Sequence, residues 1–215
     1  MEIKYLAFFS KTALFFFTLI ISINLLSAYN ADTLKVKKHK EQSIDLSAAF
    51  TQMNLENFWG FNVDWKFFPY ERLGTGLYFT WAMNGTHTKD TFNYHITKPE
   101  MDLFEIGWIN QYVFIKDSSF RLNLNLVNGW ADIMLSDRGQ QERYKTRYGY
   151  SYRAKSIDNN SYYLLEPGLD FLIKTVKRLW ISAKIDYRFL FGSTHFARKE
   201  DFSKFIFFVG ITGIW

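Results

Sequence analysis

Eight stretches of this chain place large apolar residues at every second position, with the polar and charged residues between them. The sharpest is FWGFNVDWKFF, residues 58–68. Trp59, Phe61, Val63, Trp65 and Phe67 share one phase, while Asn62, Asp64 and Lys66 share the other. A two-residue period is that of a β-strand with two unlike faces. Residues 43–53 repeat it with Ile44, Leu46, Ala48 and Phe50 against Ser43, Asp45 and Ser47. Residues 73–83 set Leu77, Phe79 and Trp81 against Gly74, Gly76 and Tyr78, and 101–116 follow less cleanly. Residues 120–130 oppose Leu122, Leu124 and Leu126 to Arg121, Asn123 and Asn125, and 161–173, 179–191 and 204–215 complete the set.

The connections sort by parity. PYER, KDSS and KTVKR, after the second, fourth and sixth stretches, are short. The alternate connections, about 84–100, 133–160 and 192–203, are long, and only NLEN among them is short. In up-and-down antiparallel order this gathers the short turns at one end and the long loops at the other, the wiring of a bacterial outer-membrane barrel.

Two eight-stranded barrels fit such alternation. A soluble calycin-type barrel points its apolar side chains inward, and a membrane barrel points them at lipid. In the six cleanest stretches no charge joins the apolar phase, as lipid contact requires, because a mid-bilayer Lys or Arg costs ~2–4 kcal/mol. The opposite phase carries Asp45, Asp64, Lys66, Glu105, Arg121, Glu166, Asp170, Lys184, Asp186 and Arg188 among Gly, Ser and Thr. Small residues with charges of both signs fill a narrow lumen, and buried charges need partners. Aromatic residues make up 20% of the chain, more apolar area than a soluble interior of this size holds. Trp59, Trp65, Trp81, Trp108, Trp130 and Trp215 fall toward strand ends, where aromatic girdles sit. The predicted fold is all-β: an eight-stranded antiparallel up-and-down transmembrane β-barrel over residues 43–215. Pro167 lies inside the sixth stretch without an N–H to give, so a bulge or break at EPG, or a later strand start, is expected.

The N-terminus reads as an export signal. Lys4 and Lys11 precede the apolar run TALFFFTLIISINLL, and Ser27 and Ala28 follow it, the order of a secretory signal peptide cleaved after Ala28; the alternative is an uncleaved membrane-anchoring helix, since the run is at the short end of a spanning length. Residues 29–42 form a polar lead-in. The absence of Cys excludes a disulfide framework, a thiolate metal site and an acylated lipoprotein Cys.

The signal peptide, the eight segments, the turn-and-loop parity and the aromatic end of FIFFVGITGIW together resemble the small eight-stranded outer-membrane proteins of Gram-negative bacteria. The resemblance implies location in the outer membrane, contact with its lipid and lipopolysaccharide, and insertion by the barrel-assembly machinery. The last strand would be the assembly signal, through Phe205, Phe207, Val209, Ile211 and Trp215. Gly213 departs from the pattern, since a large apolar residue is usual there.

The segment that most invites a function is 136–158. It interleaves Arg138, Arg143, Lys145, Arg147, Arg153 and Lys155 with Tyr144, Tyr148, Tyr150 and Tyr152. Arginine grips phosphate bidentately and tyrosine stacks on flat groups, so this loop suits lipopolysaccharide, another surface polymer or a protein partner. The same residues also fit a solvated hairpin that extends the fifth and sixth strands. Nucleic acid is not expected outside a cell. Some barrels of this architecture modify lipid A with a His and a Ser near the outer rim. Ser193 and His195, with Glu200 or Asp201 nearby, are the weak candidates for that chemistry. His87 and His95 lack metal-ligand spacing, and the reading implies no metal and no cofactor. The preferred function is therefore non-catalytic, exercised through the long loops.

Overall fold

The computed structural model describes residues 40–53, 56–84, 94–147, 149–192, 195–196 and 199–215. The signal peptide, most of the lead-in, His87, Tyr148 and Ser193 lie outside the described residues. The strands are β1 (Glu41–Met53), β2 (Glu56–Phe68), β3 (Leu73–Met83), β4 (Pro99–Lys116), β5 (Phe120–Thr146) and β6 (Gly149–Val176). There follow β7 (Leu179–Tyr187), β8 (Phe189–Phe191), a four-residue helix α1 (Lys199–Phe202) and β9 (Phe205–Ile214). β1 opens two residues inside the stretch read as lead-in.

Each strand from β1 to β6 pairs antiparallel with the next, β7 pairs with β9, and β9 pairs back with β1. β8 continues β7 beyond Arg188 and pairs with β6, so the segments form a closed ring of eight strands. The seam runs from Ser43↔Ile214 to Thr51↔Ile206. Past it, the Gln42 and Trp215 backbones exchange two hydrogen bonds of 2.9 and 3.1 Å. The wall closes tightly: at Gly60 and Gly76 an added Cβ would lie 1.9 and 1.8 Å from a carbonyl oxygen of the neighbouring strand.

The expected disruption around Pro167 falls in its neighbour. β6 runs unbroken, with Pro167 opposite Leu126. The pairing on its other side stops at Leu165↔Phe189 and resumes at Gly168↔Asp186. In the gap Arg188 donates its backbone N–H to Lys204 O instead, at 3.0 Å. A proline is tolerated where the ladder beside it is already open.

The apolar phase faces outward. Leu46, Phe61, Leu77, Ile106, Leu124, Ile181 and Val209 are all exposed, as lipid-facing residues are in the isolated chain. Phe205, Phe207, Val209 and Ile211 belong to this belt. The Trp215 ring lies 3.5 Å from where a Cβ on Gly213 would sit, so the final tryptophan covers the position that glycine leaves bare.

The interior has two layers, and only one was foreseen. Toward the short-turn end it is charged. Lys184 Nζ lies 2.6 Å from both Asp45 and Asp64, and Lys66 lies 3.6 Å from Asp64 and 3.9 Å from Asp170. Ser182 and Thr212 donate to Asp45 at 2.7 and 2.5 Å. Nearer mid-barrel, Arg188 pairs with Glu105 and lies 3.7 Å from Glu166, to which the Tyr78 hydroxyl donates at 2.8 Å. Asp186 faces Gly168, where its carboxylate fills the space a Cβ would need. Arg121 sits at the short-turn mouth on Glu41. Toward the long-loop end the charges give way to an apolar plug that includes Met53, Phe58, Met101, Leu103, Ile133 and Leu135, with Phe196 and Phe202 in the same cluster.

The change of layer is written in β5. Between Phe120 and Leu126 the leucines point out, and Arg121, Asn123 and Asn125 point in. From Val127 onward the inward positions are Val127, Ala131, Ile133 and Leu135, while the other phase mixes Asn128, which is buried, and Asp132 with Trp130 and Met134. The strand keeps its parity while its inward phase turns from polar to apolar.

Beyond that level Asp137 pins a strap from the preceding loop. Its carboxylate accepts the N–H groups of Thr97, Lys98 and Gly139 at 3.1, 2.9 and 2.8 Å. Burial pushes this carboxyl up, but those three N–H donors outweigh it and hold it down to about 2.

Three outcomes follow for stability. Arg188→Ala leaves Glu105 and Glu166 buried without their cation, which costs ~3–5 kcal/mol and lowers the urea midpoint of the micelle-embedded barrel. Lys116→Ala, which removes an exposed 3.4 Å pair with Glu71, changes stability by less than ~1 kcal/mol. Because the folded carboxyl of Asp137 titrates below its ordinary value, its contribution is complete above the usual carboxylate range and is lost as pH falls through about 2. Hydrogen-exchange protection of the Thr97 and Lys98 amides should therefore persist at pH 4 and vanish near pH 2. In Asp137→Asn it should be weakened at every pH.

Candidate functional site

The basic, tyrosine-rich segment is a paired ribbon. β5 and β6 stay paired out to Thr146↔Gly149, so most of what looked like a long loop is strand. The part beyond Ile133 spans roughly 40 Å at ordinary strand rise. Register shifts between Leu135 and Ser136 and between Asp137 and Gln141 bend it at the base. Tyr and Thr favour extended backbone along its length. The Asp-Arg-Gly run at 137–139 marks the bend, because Asp turns its carboxylate onto the Gly139 amide.

The register divides the expected binding residues into unlike groups. Arg143 faces Tyr152 and Lys145 faces Tyr150, which places two cations and two tyrosines on one side of the ribbon. The Arg143 guanidinium stacks 3.5 Å from the Tyr150 ring centroid. Tyr150 and Tyr152 are 59% and 61% exposed. On the other side Arg153 lies between Glu142, at 3.7 Å, and the Tyr144 ring, at 5.6 Å. Arg138 does not belong to the patch. It turns back to the wall and clasps buried Glu100 through Nε, at 2.5 Å, and Nη2. Lys155 bonds Gln140 at 3.2 Å. Among the described residues Lys145 and Arg147 form no ion pair, so the tip carries open positive charge.

At the foot of the ribbon a groove of about 440 Å³ opens on the barrel wall. Trp81, Met83 and Met134 supply apolar lining, and Glu100, Arg138 and Tyr152 supply polar lining. Sequence reasoning missed this groove, because it depends on β4 and β6 meeting across the bent β5.

The weak catalytic candidates come together only in part. The carboxylate at His195 is Asp158 of β6, with Nδ1 3.4 Å from Oδ1; neither Glu200 nor Asp201 supplies it. The His195 backbone N–H donates to Asn160 Oδ1 at 2.6 Å, and the Tyr94 hydroxyl donates to Asp158 Oδ2 at 2.5 Å. Burial raises the Asp158 carboxyl, but Tyr94, the Asn159 amide and His195 together bring it below its ordinary value. The His195 imidazole is exposed and Asp158 already serves Tyr94, an arrangement suited to holding the last loop over the apolar plug. His95 is exposed, and among the described residues no group of His, Asp and Glu could hold a metal ion.

Comparison with protein-family models and with curated proteins finds no match. Solved structures do match. Ail, the attachment invasion locus protein of Yersinia pestis, aligns with a TM-score of 0.51 at 13% identity, over 82% of this chain and 99% of its own. Neisserial surface protein A aligns with a TM-score of 0.50 at 11% identity, over 81% of this chain and 94% of its own. At such identities the likeness speaks to architecture alone: the chain has the fold of the small eight-stranded outer-membrane β-barrels.

Proposed function

We propose that this chain is a non-catalytic protein of the bacterial outer membrane that acts through the β5–β6 ribbon, holding anionic groups of the cell surface. Lipopolysaccharide is the nearest source of such groups. The observation that carries the reading is the ribbon face of Arg143, Lys145, Tyr150 and Tyr152, with Arg147 beside it at the tip. Guanidinium and ammonium groups attract phosphate, and the exposed tyrosines add flat contact surface for sugar rings. The exported start, residues 1–28, would be removed after Ala28, and residues 29–42 would lead into the barrel. The outward stripe Phe205, Phe207, Val209 and Ile211, with Trp215, would be the signal taken by the barrel-assembly machinery. A protein partner in the same membrane would meet the same ribbon.

A second reading rests on His195 and Asp158. Imidazole beside carboxylate is part of a hydrolytic triad, and an acyltransferase or lipid A hydrolase at the rim would use it to activate Ser193. Mass spectrometry of lipid A from overproducing cells, beside a His195→Ala control, separates the two readings. The proposed function gives the same spectrum in both; an acyl chain gained or lost only with His195 present would establish the enzyme.

The ribbon reading has its own test. Replacing Arg143, Lys145 and Arg147 together with Gln should weaken lipopolysaccharide binding by roughly tenfold at low salt and flatten its salt dependence. Titration into purified lipopolysaccharide at two ionic strengths checks this, and unchanged affinity in the triple variant would remove the ribbon from the account.

A further inference from the structure

The opposite end of the barrel carries a second basic site. The turns after β2, β4 and β6, the start of β1 and the end of β9 all converge there. Lys40, Arg72, Lys174, Lys177 and Arg178 are exposed at this end and, among the described residues, form no ion pair. Among the described residues its three side-chain carboxylates are each engaged. Glu41 takes Arg121 bidentately, at 2.5 and 3.2 Å, and Glu71 lies 3.4 Å from Lys116. Asp117 caps its own turn by accepting the Ser119 N–H at 3.0 Å.

A basin of about 380 Å³ opens in this rim, lined by the cations Arg72, Lys116, Arg121 and Lys174, by Trp180 and Ser118, and by the carboxylates of Glu71 and Asp117, which Lys116 and the Ser119 N–H already engage. Its floor is built. Trp180 is 4% exposed, with the Arg121 guanidinium 5.0 Å and the Lys174 ammonium 5.7 Å from its ring. Arg121 is itself 8% exposed, and its Nε is buried without a hydrogen-bond partner. That Arg121 already holds one carboxylate shows the geometry the basin accepts.

We propose that this basin binds the carboxylate groups of an acidic peptide polymer in the periplasm, of the kind the cell wall's stem peptides present. The inference rests on the outer-membrane reading only for which compartment this end faces. Arg121 and Trp180 occupy inward-phase positions, in step with Asn123 and Ser182, so the basin opens along the barrel axis and not sideways toward lipid headgroups. The open cations Arg72 and Lys174 stand beside the occupied guanidinium, ready for a further anion.

The test mixes the refolded chain in detergent micelles with isolated cell-wall sacculi and measures co-sedimentation across salt. The barrel should sediment with sacculi at low salt and be released at about 0.5 M salt. Arg72→Gln with Lys174→Gln, both exposed positions that leave the fold intact, should cut the bound fraction by roughly tenfold. The ribbon triple variant should bind as before. Failure of the unaltered chain to sediment, or full binding by the double variant, would overturn the proposal. So would loss of binding to anionic phospholipid vesicles in the double variant with no binding to sacculi, which would make the basin a lipid site. Millimolar inorganic phosphate displacing the barrel from vesicles but not from sacculi would point the same way. Were the protein absent from the outer membrane in cell fractions, the membrane reading would fall while the sacculus measurement still judged the basin.

Discussion

In hydrocarbon a backbone N–H or C=O has no water to turn to, so a strand can cross only if both its edges are paired. For this chain that constraint comes down to the seam between β1 and β9, closed from Gln42 and Trp215 at one end to Thr51 and Ile206 at the other. Once the ring is shut, parity assigns every wall residue to lipid or lumen. The close approaches at Gly60 and Gly76 are the local cost of so small a circumference, because only glycine admits a neighbouring carbonyl at such distances.

Closure also forces charges inward and then requires them to pair. Lys184 between Asp45 and Asp64, and Arg188 between Glu105 and Glu166, tie together strands far apart in sequence. Pairs of this kind add little when whole but are expensive to break, so they hold one arrangement of the barrel more than they deepen its stability. The layer of apolar side chains above them needs no such matching. The last loop contributes Phe196 and Phe202 to it.

Much of this was legible from the residues. Alternation located the strands, and the confinement of charge to one phase oriented their faces. What stayed hidden has physical causes. The interruption at Arg188 is invisible in LWISAKIDYRFLF, because the alternation carries straight across it, and only Pro167 on the neighbouring strand hinted at a break. The apolar plug is hidden because the inward phase of β5 turns from polar to apolar after Asn125 without any break in the alternation. Arg138 looked like one more cation of the basic run, yet buried Glu100, on a different strand, claims it. Asp158 read as part of that run too, although Tyr94 and His195 converge on it. No local pattern announces a partner that lies dozens of residues away.

The central claim is that the apolar phase of every strand meets lipid. A chain without cysteine can be tested directly by single Cys spin labels. Labels at Leu46, Phe61, Leu77 and Ile181, with inward controls at Asn62 and Ser182, would be read in bilayers for collision with oxygen and with a water-soluble nickel complex. The account predicts high oxygen and low nickel accessibility at the four outward positions, and low accessibility to both at the buried controls. Nickel accessibility at Leu46, Phe61, Leu77 and Ile181 equal to that of a soluble protein's surface would contradict it.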